Sequence, residues 1–164
     1  MWPQGLACVG YQVWGAGMKP SDEELAALVG HQFPGGTYTV AHWENFLLTE
    51  CTGTGALPEG RVHPVALFHM PIIGAGTSIA EMFALGQAES DFSIGIESYD
   101  WEFFSTLKEE EPYRVDARIT LAERITSENG ACHDRIQFRF DLSDAAATPA
   151  ARATITWIYR RSQA

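Results

Sequence analysis

Three runs in the second half of the chain alternate apolar and polar residues with a period of two. Tyr113, Val115, Ala117, Ile119 and Leu121 interleave with Arg114, Asp116, Arg118 and Thr120. Ile136, Phe138, Phe140 and Leu142 interleave with Arg135, Gln137, Arg139 and Asp141, and Ala151, Ala153, Ile155, Trp157 and Tyr159 with Arg152, Thr154 and Thr156. Successive side chains of a strand point to opposite faces, so each run predicts a strand with one dry face and one wet face. Asn129-Gly130 between the first two runs predicts a hairpin. "FSIGIESYDWEFF" (residues 92–104) predicts a further strand bent at Gly95, and "TYTV" (residues 37–40) a short one. A sheet with one apolar face must bury it against something.

The stretch that answers this need is "RVHPVALFHMPIIGAGTSIAEMFALG", residues 61–86. Ile72, Gly76, Ile79, Phe83 and Gly86 recur at intervals of three and four, which predicts a helix over 72–86. Ser78 and Glu81 match a capping box, which would start the regular helix slightly later. Nearly every residue of 72–86 is apolar or small, so this helix should be enclosed on all sides. The fold class that follows is α+β: an antiparallel sheet of about five strands, mostly meandering, curled round one long central helix.

Upstream, "SDEELAALVG" reads as a short capped helix and "FPGG" as a turn, while "AHWENFLLTECTGTG" reads as a helix that stops at Gly53. Pro149 marks "DAAATPAA" as a connection. Residues 1–20 form an N-terminal extension without a structural reading, and 21–164 a single domain.

The formal net charge of −10 argues against nucleic acid and against anionic membrane surfaces, both of which require stripes of Lys and Arg. Three dispersed cysteines with no C-x-x-C predict no disulfide framework and a reducing cytoplasm. The opening residues lack a basic, then apolar, signal pattern, and no run reaches the ~18 apolar residues of a spanning helix. The five histidines are scattered, which predicts no metal site.

The order of elements, with "LVGHQFPGGTYTV", a helix ending "TGTG", then "HPVALFHMPIIGAG" and "YDWEFFSTLKEEEPYRVDARITLAERI", resembles the hot-dog fold. Within it the chain resembles the MaoC-like acyl-CoA or acyl-carrier-protein hydratases and dehydratases, over roughly residues 28 to 161. That resemblance implies an enoyl- or 3-hydroxyacyl-thioester substrate, no cofactor beyond the CoA thioester itself, and a homodimer, higher oligomer or heteromer. The family signature of Thr-Gly-Asp, Asn-Pro and His is incomplete here. Thr54 follows Thr52-Gly53 where the Asp belongs, no Asn-Pro follows, and His63 is the nearest candidate for the His.

Hydrating an enoyl thioester requires a base for water, an acid for carbon and donors for the carbonyl. His63 and His69 are the imidazoles of the loop, with His63 the first choice as general base and Glu81 a replacement for the missing Asp. Gly74, Ala75 and Gly76, read as a helix start, would supply backbone N–H donors to the thioester oxygen. Arg61 is a candidate contact for the phosphate or pantetheine end, and Trp101 for the acyl pocket. Two alternatives share these residues: a thioesterase centred on Glu81, and a non-catalytic subunit that binds acyl thioesters and relies on a partner for the missing carboxylate.

Overall fold

The computed structural model describes residues 19–128 and 130–162. The N-terminal extension lies outside the described residues except for Lys19 and Pro20, and Asn129 of the expected Asn-Gly turn also lies outside them. The elements are α1 (Asp22–Ala26), β1 (Gly36–Thr39), α2 (His42–Thr52), α3 (Met70–Gly74), α4 (Ile79–Leu85), β2 (Ile94–Phe103), β3 (Pro112–Thr126), β4 (Cys132–Ser143) and β5 (Pro149–Arg161).

Five antiparallel strands form one sheet in the order β1-β3-β4-β5-β2. The last three strands meander, each pairing with the one before it. β2 instead pairs with β5, so the chain passes β5 and β4 to reach β3. The inner face carries Val115, Phe138, Phe140, Ile155 and Tyr159, all buried, against which α3 and α4 pack.

Two departures from the sequence pattern shape the interior. The first is a bulge in β3, where the register with β4 shifts between Ile119 and Leu121. One extra residue reverses the phase of a period-two strand. Leu121 is therefore only half-buried, and Ala122 takes the place opposite Ile136. The same reversal turns Arg124 inward, onto the fully buried Asp134.

The second departure is in the central helix, which is broken. The expected helix over 72–86 is two short ones, because Gly76 takes φ +70 and the chain turns through residues 75–78. Ser78 caps the second helix by accepting from the Glu81 amide at 3.1 Å. The first helix is drawn tightly onto the sheet: a Cβ on Gly74 would stand 2.6 Å from a methyl of Val115. The expectation that 72–86 is enclosed on all sides also fails. Ile73 and Ile79 are about half exposed, at 55% and 52%.

The C-terminal end of α4 is fastened by ions. Arg161 donates to the carbonyls of Gly86 (2.7 Å) and Gln87 (2.5 Å), and to Asp134 (2.7 Å). Arg124 grips the other oxygen of Asp134 at 2.6 Å and reaches Asp22 of α1 at 2.8 Å. Tyr159 adds a hydrogen bond from its hydroxyl to the Met82 carbonyl at 2.9 Å. Cations at a helix C-terminus complement its dipole and satisfy carbonyls that have no partner within the helix.

Removing one member of a buried ion cluster strands the others, at a cost of about 3–5 kcal/mol. Asp134→Ala is therefore expected to lower the unfolding free energy by about that amount in urea denaturation. A loss under about 1 kcal/mol would show that the cluster does not hold the helix end.

Candidate active site

The broken helix leaves a cavity of about 620 Å³ between α3, α4, β2 and β5. Its wall is apolar: Ile72, Ile79, Phe83, Ile94, Tyr99 and Trp157 contribute most of its character. His69 stands in the same wall, between the 3-10 turn of Pro64–Phe68 and the start of α3. Tyr99 stacks on Phe68 at a ring separation of 4.5 Å and donates its hydroxyl to the Phe68 carbonyl at 3.1 Å, which fixes the loop that carries His69.

His69 is paired with a carboxylate that its neighbours in sequence do not supply. Its Nε2 lies 2.6 Å from Oε1 of Glu44, in the first turn of α2, and the same oxygen accepts from the Tyr38 hydroxyl at 2.8 Å. The Glu44 side chain is only 13% exposed. An ionised carboxylate only accepts, so Nε2 carries the hydrogen and Nδ1 is the basic nitrogen of the ring. Among the described residues nothing bonds to Nδ1. Burial, and next the bond to Glu44, push the Tyr38 phenol up to about 12, so Tyr38 stays a donor across the working pH range.

His63 sits apart from this pair. Its Nδ1 accepts from the Val65 amide at 3.2 Å and its Nε2 lies 3.4 Å from the Thr52 hydroxyl, which itself meets the Thr54 hydroxyl at 3.0 Å. The Thr52-Gly53-Thr54 segment and His63 thus come together, with a hydroxyl and no carboxylate bonded to the ring among the described residues. The backbone of His63 is held by Asn45, which is buried: Oδ1 accepts from the His63 amide at 2.9 Å, and Nδ2 donates to the Arg61 carbonyl and to Glu109, each at 2.9 Å.

The other expected site residues are dispersed. Glu81 is exposed, accepts from the Thr77 hydroxyl at 3.0 Å, and faces a separate crevice of about 180 Å³ beside His31 and Phe33. Gly74, Ala75 and Gly76 close a helix rather than open one. The amides of Ala75 and Gly76 donate to the carbonyls of Pro71 and Ile73 at 2.9 and 3.0 Å, so these two are engaged within α3 and its cap. The exposed Arg61 lines a third hollow beside Phe103, away from His69. Trp101 lies behind the cavity wall, edge-on to Tyr99 at 6.1 Å. Tyr38 and Glu44 are the functional candidates the sequence did not single out.

No family model matches the chain, and no curated protein matches it in sequence. Solved structures do. The ChsH1–ChsH2 complex from Mycobacterium tuberculosis matches with a TM-score of 0.67 and 9% identity, over 87% of this chain and 92% of that one. The HadBC (3R-hydroxyacyl-ACP dehydratase) complex from the same organism gives 0.58 and 12%, over 86% and 99%. A 1,4-dihydroxy-2-naphthoyl-CoA thioesterase from Synechocystis gives 0.51 and 14%, over 82% and 85%. The chain has the hot-dog fold. Among the described residues no helix is long and apolar enough to cross a membrane.

A surface feature near α2 gives a test of the local electrostatics. His42 is raised above its ordinary value of 6.5, first by its hydrogen bond to Glu109 and then by that group's charge. The folded-state value exceeds the unfolded one, so this pair's contribution is complete below about pH 6.5 and is lost as pH rises through the raised value. NMR titration of His42 is expected to show that elevation, and Glu109→Gln to bring the midpoint back down. An unchanged midpoint in the variant would contradict the pairing.

Proposed function

We propose that the chain is an acyl-thioester hydratase or dehydratase, acting on enoyl- or 3-hydroxyacyl groups carried by CoA or a carrier protein. The observation that carries the proposal is a histidine, paired to a carboxylate, set in the wall of an apolar cavity of about 620 Å³. Such a volume falls within the ~300–1,000 Å³ usual for small-molecule sites.

In the hydration direction, water gives a proton to Nδ1 of His69 while its oxygen bonds the β-carbon of the enoyl thioester. Glu44 steadies the positive ring that results, and Tyr38 keeps Glu44 oriented. The protonated ring returns a proton to the α-carbon, so one water is added and His69 ends neutral. Dehydration is the same path reversed. His69 and Glu44 take the roles that the incomplete signature leaves open at Thr54 and His63.

Assembly accompanies the proposal. β2 is an edge strand with Ile96 and Phe103 exposed, and an unpaired edge of this kind is a template for pairing with a second chain. The ChsH1–ChsH2 and HadBC structures are themselves complexes. A second reading, a non-catalytic acyl-binding subunit, is favoured by one observation: the ring of His63 meets a hydroxyl rather than a carboxylate. The thioesterase reading loses support because Glu81 lines a crevice other than the one that holds His69.

Incubation with a panel of enoyl-CoAs and acyl-CoAs, following enoyl absorbance and free thiol together, separates the three. The expected result is loss of enoyl absorbance without thiol release. His69→Ala is expected to lower kcat/KM by about 10²–10⁴-fold, and Glu44→Gln by about 10–100-fold. Thiol release would establish a thioesterase instead. Silence with thermal stabilisation by the esters would establish a binding subunit, and silence without it would end the acyl-thioester reading.

A further inference from the structure

We infer that the cavity selects broad, ring-bearing hydrocarbon acyl groups over straight chains of equal carbon count. This rests on the acyl-thioester reading above and names the substrate class of the same site.

The first ground is the break at Gly76. In a continuous helix Ile72, Ile79 and Phe83 would share one face, close over the sheet, and a ligand would be left a slot along that face. The turn through residues 75–78 divides the wall instead. Ile72 and Ile73 face the cavity from α3, Ile79 and Phe83 from α4, Ile94 and Tyr99 from β2, and Trp157 from β5. The lining of this half-open hollow of about 620 Å³ thus comes from four elements on different sides rather than from one helix face.

The second ground is the composition of those walls. Phe68 and Tyr99 present a stacked pair with planes 12° apart, and Phe83 meets Trp157 edge-on at 5.3 Å. Flat aromatic faces accept flat rings in offset or edge packing. The hydroxyl of Thr77 and that of Ser78 are already engaged by Glu81, through its carboxylate and its amide respectively. Asp91, the one carboxylate in the wall, is exposed. The lining therefore favours hydrocarbon rings over sugar-like or charged ones. A rigid ring system also gives up fewer rotors on entering than a flexible chain with the same number of carbons.

The test is isothermal titration of the full chain with naphthylacetyl-CoA and with dodecanoyl-CoA, whose acyl groups contain equal numbers of carbons. Naphthylacetyl-CoA is expected to bind about ten-fold more tightly. Ala80, in the cavity wall on the exposed side of α4, is then enlarged. Ala80→Leu is expected to weaken naphthylacetyl-CoA about ten-fold and dodecanoyl-CoA less than about three-fold. Dodecanoyl-CoA binding as well as or better than naphthylacetyl-CoA, or an equal loss of both in the variant, would overturn the inference and leave the acyl-thioester reading standing. Binding of neither ester by the unaltered chain would overturn both.

Discussion

The buried contact between Asp134 and two arginines fixes the end of α4, the helix that forms one wall of the cavity. Arg161 uses one guanidinium to satisfy Asp134 and the carbonyls of Gly86 and Gln87 just past α4, so the helix end and the sheet share a single polar knot. Asp134 and the guanidinium of Arg161 are fully buried. Ions in such a place are tolerated only when every donor and acceptor is matched, which makes the arrangement all-or-nothing. The bulge in β3 is what brings Arg124 to the inner face to complete it. With α4 fixed at its C-terminal end and α3 pressed onto Val115 through Gly74, the turn at residues 75–78 must bridge two anchored pieces, and the cavity is the space it leaves.

Chemistry follows from the same geometry. The loop before α3 places His69 in the cavity wall, and α2 begins close enough to β1 for Tyr38 and Glu44 to meet it. Asn45, one residue further along α2, ties down the backbone on either side of Val62. One turn of helix thus orients both histidine-bearing segments, with the carboxylate given to His69 and hydroxyls alone to His63.

The strands were legible because their period of two admits one structure. The phase reversal at Thr120 was not, since Leu121 continues the apolar alternation and only pairing with β4 reveals the extra residue. Spacing alone also failed for the central helix. Ile72, Ile79 and Phe83 fit one continuous face, and the turn depends on a backbone angle at Gly76 that spacing does not encode. Ser78 and Glu81 were the real signal, marking a second helix start inside the run. The site was least legible. Glu44 and His69 are 25 residues apart, and no periodicity links them; they meet because β1 and α2 fold back over the loop. The amides of Ala75 and Gly76 are engaged because the segment closes α3, and glycine spacing does not distinguish a helix end from a helix start.

A crystal structure of the chain with a non-reactive enoyl-CoA analogue bound would locate the acyl group and the catalytic imidazole together. The acyl group is expected between Phe83, Tyr99 and Trp157, with its β-carbon facing Nδ1 of His69 across one water. An acyl group lodged instead beside Arg61 and Phe103, or a thioester placed at His63 with His69 uninvolved, would contradict it.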